Sequence, residues 1–228
     1  MTSETPATVK IHGRLRVGRP MPVISPTSYN MGYAASSLRP ELARIVAEHF
    51  VDAGNWKDAR IRILSTNALQ CRNVSSSLRT EREIRSRLSS LTQNQITLLS
   101  QATSDDRVAL TWLAVCKYNA FVFEFAAEVL REKLADHDPI LRLSDYESFV
   151  DIKSVSHPEL AHLSVLFKNK IRHALFKMLS EAGILSKGSE LGTIHRPVIS
   201  PLVKRAIASD NSQWLAAFLV PDSELGVL

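Results

Sequence analysis

Cysteine is scarce in this chain of 228 residues, and Cys71 and Cys116 are its only examples. No second pair of thiols accompanies them, so the sequence holds neither a disulfide framework nor the cysteine cage of a structural zinc site. We expect both side chains to be small core residues in a reducing cytosol.

Catalytic and cofactor-binding motifs are missing as well. His157 and His162 are not at the i, i+4 spacing that places two metal ligands on one helical face. The segment GILSKGS has glycines at phosphate-loop spacing, but Lys187 stands before the second glycine instead of after it. The sequence therefore predicts a protein that is not an enzyme and that uses no metal, cofactor or small-molecule substrate.

The chain also lacks a long uninterrupted apolar run. Its most apolar segment, ALTWLAVCKYNAFVFEFAAEVL, is broken by Lys117, Asn119, Glu124 and Glu128, which is typical of a core helix and not of a membrane span. The first residues, MTSETPATVK, contain no apolar stretch after a basic patch, so no secretory signal is expected. We expect a cytoplasmic protein without a membrane partner.

Charge is present but unevenly distributed, although the totals of 28 basic and 23 acidic residues nearly balance. Residues 57–87 carry eight basic and three acidic side chains, and residues 162–187 carry five and one. Residues 88–161, between them, carry six and eleven. Two basic regions around an acidic middle are expected of surfaces that bind a polyanion. The alternative is an uneven scatter of surface charge without function.

Capping signals predict helices through the first half of the chain. One helix should stop at Gly54, and Asn55 should cap a second one that runs to Leu69. Two capping boxes follow, Thr80 with Glu83 and Thr92 with Gln95, and predict short helices joined by a turn. Such a pair is a helix-turn-helix element. The apolar residues 105–134 are predicted to form one long helix against which the pair packs.

In the second half, Ser144 with Glu147 and Ser156 with Glu159 form two more capping boxes, and Gly183 is the expected stop of the last long helix. The β-prone pieces 184–186 and 193–195 predict a β-hairpin, followed by closing helices near 200–208 and 211–220. A helix followed by a hairpin is the order of a winged helix.

The predicted fold class is therefore mainly α, a helical bundle with helix-turn-helix elements and a C-terminal winged-helix-like domain with a short β-hairpin. Residues 1–29 are rich in proline and basic side chains and are predicted to be a flexible basic arm. Residues 30–136 are assigned to an N-terminal helix-turn-helix domain and residues 137–228 to the winged-helix-like domain.

The stretch SSSLRTEREIRSRLSSL contains the first candidate site. Glu81 precedes Arg85 by four residues and Glu83 precedes Arg87 by four, the favourable order for ion pairs along a helix. The remaining groups combine guanidiniums, hydroxyls and a helix N-terminus, which together suit a phosphate. The predicted phosphate-binding residues here are Arg72, Ser75, Ser77, Arg79, Thr80 and Arg82.

The second candidate site is on the helix within FKNKIRHALFKMLSEAG. At 100° per residue, its apolar residues share one side and its polar and basic residues lie opposite. Lysine and arginine neutralise phosphates and asparagine pairs with adenine, so this face suits a DNA major groove. The alternative is an ordinary solvated helix face. The predicted nucleic-acid-binding residues here are Lys168, Asn169, Lys170, Arg172, His173 and Lys177, with Lys187 in the hairpin.

Several segments together are similar to a known family. NALQCRNVSSSLRTEREIRSRLSSLT, CKYNAFVFEFAAEVLREKL, SDYESFV, HPEL and FKNKIRHALFKMLSEAGIL resemble, in order and spacing, the BrxA family of bacterial BREX phage-exclusion loci. The resemblance runs from about Tyr29 to Phe218. One departure is that Leu166 and Phe167 stand where many members have Thr and Arg.

This resemblance implies a small, mostly helical, cytosolic protein that binds double-stranded DNA as an accessory to phage defence. Other BREX components are the partners that this resemblance implies. An older comparison of such chains with antitermination factors leaves an RNA-binding helical module as an alternative. A protein-interaction scaffold in the defence complex is a second alternative.

Overall fold

Helices account for most of residues 28–33, 37–186 and 192–225, which are the residues that the computed structural model describes. The predicted mainly α class is confirmed. The elements in chain order are α1 (Pro40–Ala53), α2 (Trp56–Ser65), α3 (Val74–Leu88), α4 (Gln93–Gln101), α5 (Ser104–Tyr118), α6 (Ala120–Glu124), a π-helical segment (Phe125–Leu130), α7 (Arg131–Ala135), α8 (Leu143–Ser156), α9 (Pro158–Ala161), α10 (Val165–Glu181), α11 (Pro201–Asn211), a 3-10 segment (Ser212–Phe218) and α12 (Asp222–Leu225).

Several helix ends lie where short polar residues and glycine predict them. Gly54 follows α1 with a φ of 71°, a left-handed conformation that glycine adopts without strain. Asn55 Oδ1 accepts the Asp58 N–H at 2.9 Å and caps α2. The Thr92 hydroxyl and the Gln95 side chain form the predicted capping box of α4. The helix after Asn55 ends at Ser65, four residues before the predicted end at Leu69.

The predicted start of α3 at Thr80 is wrong, because Asn73 caps this helix seven residues earlier. Asn73 has extended backbone angles, and its Oδ1 accepts the Ser76 N–H at 2.8 Å. Thr80 instead lies inside the helix, where its hydroxyl accepts a hydrogen bond from Arg39 Nη1 at 3.4 Å. The longer helix carries Arg79 on its second turn, away from the N-terminus.

The predicted single helix over residues 105–134 is bent by 114° between α5 and α6. Asn119 interrupts it with extended backbone angles, and its N–H bonds to the Val115 carbonyl while its own carbonyl accepts the Val122 N–H. Asparagine favours such breaks because its short polar side chain competes with the helical backbone. The bend places the N-terminus of α6 beside the end of α5.

Two predicted capping boxes in the second half are also wrong. Helix α8 begins at Leu143, two residues earlier than predicted, and the carboxylate of Asp145 accepts the Arg142 N–H at 2.7 Å there. Ser156 is the last residue of α8 and caps nothing. Helix α10 has its own cap at Ser164, whose hydroxyl accepts the Phe167 N–H at 3.3 Å. The predicted stop near Gly183 is confirmed, with a φ of 71° at that residue.

The β-structure of the described residues consists of two isolated antiparallel bridges, Leu185 with Ile194 and Ile140 with Thr193. The first joins the two pieces that were predicted to pair, and the second ties them to the loop before α8. Residues 187–191 between the two pieces, including Lys187, lie outside the described residues.

One hydrophobic core receives side chains from both halves of the chain. Trp112 Nε1 donates to the Ala217 carbonyl at 2.9 Å, and Gln95 Nε2 donates to the Ala206 carbonyl at 3.0 Å. Lys117 also pairs with Asp210 at 2.7 Å. Elements near the end of the chain thus complete the packing of α4 and α5, and the boundary at residues 136 and 137 stays a prediction.

The short segment 28–33 packs against this core through a cluster of buried polar side chains. The Tyr29 hydroxyl donates to Glu124 at 2.5 Å, and its backbone N–H donates to Glu159 at 2.7 Å. Its ring stacks on His157, with centroids 3.8 Å apart. Burial and the hydrogen bond to Glu124 raise the pKa of Tyr29 well above its ordinary value. Tyr29 was predicted to end a flexible arm, but in the structure it is 5% exposed.

Candidate nucleic-acid interface

The first turn of α3 presents part of the predicted phosphate site. Arg72 and Ser75 are exposed, and the first turn contains no acidic residue. Arg72 makes no ion pair among the described residues. A helix N-terminus with a nearby guanidinium and hydroxyl favours an anion, because its free N–H groups carry partial positive charge.

Two predicted phosphate-binding hydroxyls are excluded by burial. Ser77 is 5% exposed and Thr80 is 6% exposed. Both are buried where α3 packs against its neighbouring helices. Neither hydroxyl can contact a phosphate in this arrangement.

The predicted intrahelical ion pairs are confirmed. Arg85 Nε lies 2.7 Å from Glu81, and Arg87 Nη2 lies 2.7 Å from Glu83. Each pair has one buried member, because the side chains of Glu81 and Arg87 are 1% and 4% exposed. Arg87 also donates to the Ser37 carbonyl at 2.8 Å. These charges stabilise the packing of α3 and are not available to a ligand.

Arg79 and Arg82 are the charges of α3 that remain exposed. They are three residues apart, so both project from the same side of the helix. Neither forms an ion pair with any side chain that the structure describes. Both line a cleft of about 350 Å³ between α3, the segment 30–33 and the bend after α5.

This cleft has an excess of positive charge. Arg39 and Arg87 lie in it with Arg79 and Arg82, and Glu83 is its acidic lining residue. Burial lowers the pKa of Arg87 below its ordinary value, Glu83 opposes that shift, and the neighbouring charge of Arg39 adds to it. The arginines therefore repel one another, and an anion in the cleft would relieve the repulsion.

Sequence reasoning missed the other walls of the cleft. Asn30 Nδ2 donates to the Tyr118 hydroxyl at 3.1 Å, which joins two residues far apart in the chain. Arg39, the residue before α1, has a left-handed φ of 55°, and its guanidinium reaches Ser37 and Thr80, both at 3.4 Å. One available signal was the polar pair Tyr118 and Asn119 inside an otherwise apolar segment.

Helix α10 presents the second predicted surface. Ile171, Ala174 and Leu175 are buried, as the helical wheel predicts, whereas Lys170 and His173 are exposed. The other predicted contacts differ in exposure, with Lys177 exposed and Lys168, Asn169 and Arg172 half-buried.

Part of this surface is already engaged within the chain. Lys177 lies 3.9 Å from Glu181, and His173 Nδ1 lies 2.7 Å from the Asn169 carbonyl. Lys168, Asn169 and Arg172 line a smaller cleft of about 220 Å³ against α8. This cleft and the cleft of α3 share no lining residue. The two predicted surfaces are therefore separate sites.

Other chemistry is limited in the described part of the chain. It contains no group of three or more His, Cys, Asp or Glu side chains that could hold a metal ion. Cys116 is buried, which raises its thiol pKa, and Cys71 is partly buried. Within the same residues no single helix is long and apolar enough to cross a membrane, and the one bent pair that passes together is α5 with residues 120–135.

The described residues define a mainly helical protein with a basic cleft beside α3 and a basic face on α10. The model of the BrxA family matches residues 27–211, and the chain belongs to this family. The resemblance seen in the sequence is thereby confirmed.

A curated relative and a solved structure are similar to this chain. BREX protein BrxA of Escherichia coli O9:H4 (strain HS) is 28% identical over 144 residues, which are 62% of this chain and 66% of that relative, just under two thirds. The crystal structure of an uncharacterized protein from Magnetospirillum magneticum superposes with a TM-score of 0.71 at 19% identity. It covers 84% of this chain and 97% of that one, and at this identity it supports the fold alone.

Proposed function

We propose that this chain is a non-enzymatic accessory protein of a BREX anti-phage system and that it binds double-stranded DNA in the cytoplasm. Membership of the BrxA family supports the defence role. The observation that carries DNA binding is the pair of exposed guanidiniums on α3, Arg79 and Arg82, without an acidic partner among the described residues. Unpaired arginines on one helical side suit consecutive phosphates.

We also propose that the chain contains a helix-turn-helix element and a winged helix. Helices α3 and α4 are joined by residues 89–92 and act as a helix-turn-helix element. Helix α10 and the bridge between Leu185 and Ile194 act as the reading helix and wing of a winged helix. In this arrangement Asn169, Arg172 and His173 face base edges, while Lys168, Lys170 and Lys177 neutralise phosphates. Arg72 and Ser75 extend the phosphate contacts of α3.

Charge reversal on α3 tests the proposal. The double variant Arg79→Glu and Arg82→Glu is compared with Lys57→Glu and Arg62→Glu, which make the same change in net charge at exposed positions of α2. In a gel-shift series across salt, the α3 variant should lose duplex binding and the α2 variant should retain most of it. Equal binding by wild type and the α3 variant would contradict the proposal.

The same gel-shift series distinguishes RNA from DNA. For the wild type, log K should fall by about 0.9 per log unit of salt for each phosphate neutralised. A structured RNA that displaces the duplex at equal concentration would favour the alternative of an RNA-binding module.

A scaffold role is the second candidate, and exposed aliphatic side chains favour it. Ile152 and Val155 on α8 are 68% and 88% exposed, and Val165 and Leu166 on α10 are 74% and 76% exposed. Apolar groups clustered in this way often mark a protein contact. Under this alternative, Val155→Ser with Leu166→Ser should abolish co-purification with other BREX components from the same locus while DNA binding persists.

A further inference from the structure

The cleft of α3 has the size of a small-ligand site. Its volume of about 350 Å³ is near the lower end of the range for small-molecule pockets, roughly 300–1,000 Å³. The sides of double-stranded DNA can contact only the exposed rim of this cleft, where Arg79 and Arg82 lie. A single phosphate group with its sugar and base can enter it. The cleft can therefore hold a group that the sides of a duplex do not present.

Charge defines the class of ligand. Arg87 is neutralised by Glu83 at 2.7 Å. Arg39, Arg79 and Arg82 form no ion pair with any described residue, and the hydrogen bonds of Arg39 to hydroxyls are long, at 3.4 Å. Three guanidiniums in one cleft suit an ion with more than one negative charge. A phosphate monoester carries about −1.5 to −2 at neutral pH, compared with about −1 for each phosphate within a strand.

One polar side chain in the walls is incompletely bonded. Asn119 lines the cleft, and its Oδ1 is buried with no hydrogen-bond partner among the described residues. Native proteins rarely leave such an atom unpaired, because its loss of solvation is costly. An amide oxygen accepts hydrogen bonds, so it suits a sugar hydroxyl or a base N–H beside the phosphate.

The rim offers a surface for the rest of the ligand. Tyr118 is 39% exposed, and its hydroxyl is held by Asn30 at 3.1 Å. A fixed and partly exposed aromatic ring is a platform on which a nucleobase can stack. The cleft thus combines groups for a phosphate with a group for a base.

We propose that this cleft binds the phosphate monoester of a nucleotide, either at the phosphorylated end of a DNA strand or as a free nucleoside monophosphate. Arg39, Arg79 and Arg82 hold the phosphate, and Tyr118 contacts the base. Where the ligand is the phosphorylated end of a DNA strand, this inference rests on the proposed binding of DNA. It goes beyond that proposal because it assigns α3 a preference for an end over the sides of a duplex.

Matched oligonucleotides test this inference. Two duplexes of one sequence with a short 5′ overhang carry either a 5′-phosphate or a 5′-hydroxyl, and their Kd values are compared by fluorescence anisotropy. Wild type should bind the phosphorylated end at least about tenfold more tightly, because bidentate arginine contacts to phosphate are strong. The double variant Arg79→Ala and Arg82→Ala should bring the ratio to about one.

Two further variants separate charge from folding. Ser86→Glu places a carboxylate in the cleft and leaves every arginine in place, and it should also abolish the preference. Asn94→Asp adds the same charge at an exposed position of α4 and should keep it. A ratio of the two Kd values near one in wild type would overturn the inference. A ratio that stays unchanged in both Ser86→Glu and the arginine double variant would also overturn it.

Competition with adenosine monophosphate distinguishes the two sources of the phosphate. If it displaces the phosphorylated end and adenosine does not, the free nucleotide is a ligand, whereas no displacement assigns the site to strand ends. Salt-dependent binding of the hydroxyl duplex without an end preference leaves the proposed function intact and ends this inference. If wild type binds no DNA, the proposed function is contradicted. Direct binding of adenosine monophosphate then still tests whether the cleft holds a nucleotide.

Discussion

Helices α3 and α10 carry the two basic surfaces of this protein, and the surfaces differ in shape and in the state of their charges. On α3, the exposed arginines line a cleft in which positive charge exceeds negative charge. On α10, the exposed side chains of Lys170, His173 and Lys177 lie along one side of the helix, and the opposite side is buried. Lys177 already has an acidic neighbour, Glu181, at 3.9 Å.

This difference means that two basic segments of similar composition can present their charges in different ways. An open helix face meets an extended polyanion through several spaced contacts, each of them screened by salt. A cleft concentrates charge on one group and gains from its lower solvent exposure. Four substitutions test whether α3 and α10 are distinct in this way, from the largest expected effect to the smallest.

Glu83→Ala should have the largest effect, because it leaves the buried guanidinium of Arg87 without its carboxylate. Removal of one partner of a buried ion pair costs about 3 kcal/mol. Urea unfolding measures this loss. The control Glu48→Ala removes the partner of Arg44 at the surface of α1 and should cost only about 0.2–0.5 kcal/mol. Equal losses in the two variants would show that α3 has no structural ion pair distinct from its free arginines.

Tyr29→Phe should loosen the wall of the α3 cleft and leave α10 unaffected. The hydroxyl donates to the carboxylate of Glu124, and a hydrogen bond to a charged group contributes about 1.5–3 kcal/mol. Ser209→Ala, which removes an exposed hydroxyl hydrogen bond on α11, is the control and should cost less. A 5′-phosphate preference that weakens in Tyr29→Phe and not in the control would support the distinction between the α3 cleft and α10. Equal free energies of unfolding for the variant and its control would contradict it.

The same tyrosine predicts a dependence on alkaline pH. Its pKa is raised in the folded protein, first by burial, whereas an unfolded tyrosine ionises near about pH 10. Its contribution to stability is therefore complete below about pH 10 and decreases as the pH rises above it. Chemical unfolding between neutral and alkaline pH should show a smaller decrease for Tyr29→Phe than for wild type.

Lys168→Ala with Lys170→Ala should change DNA binding without changing the cleft. If each lysine neutralises one phosphate, the salt dependence of log K should decrease by about 0.9 for each, or about 1.8 in all. Lys57→Ala with Arg62→Ala removes the same charge from α2 and should leave the slope nearly unchanged. An altered 5′-phosphate preference in the α10 variant would contradict the separation of the two sites.

Asn73→Ala should have the smallest effect, because it removes the N-cap of α3 only. The loss of an asparagine cap costs about 1 kcal/mol, and thermal unfolding measures it. Asn94→Ala, inside the first turn of α4, is the control and should change stability by less. A stability of Asn73→Ala equal to that of Asn94→Ala would contradict the assignment of Asn73 as the cap.

The predictions from sequence that succeeded depend on neighbouring residues. The cap at Asn55 and the capping box of Thr92 with Gln95 are confirmed, because each uses groups within one turn. The pairs of Glu81 with Arg85 and Glu83 with Arg87 are confirmed for the same reason. Their burial was not predicted, because it depends on how α3 packs against other helices.

The predictions that failed involve a choice among competing local signals. Asn73 and Thr80 both precede possible helices, and burial of Thr80 against Arg39 decided between them. The bend at Asn119 was hidden by the apolar residues on both sides. The walls of the cleft could not be predicted, because Asn30 and Tyr118 meet only through tertiary packing.

The sequence by itself determined the helical class, the family and the presence of two basic segments, since these depend on composition, spacing and local hydrogen bonds. It also determined that Arg82 has no acidic residue three or four positions away and that Arg79 has one, Glu83, only in the less favourable order. Only the tertiary structure decided which charges are buried and which are free. It brings Arg39, Asn30 and Tyr118 to these arginines, and a cleft with unbalanced charge exists only where such distant residues meet.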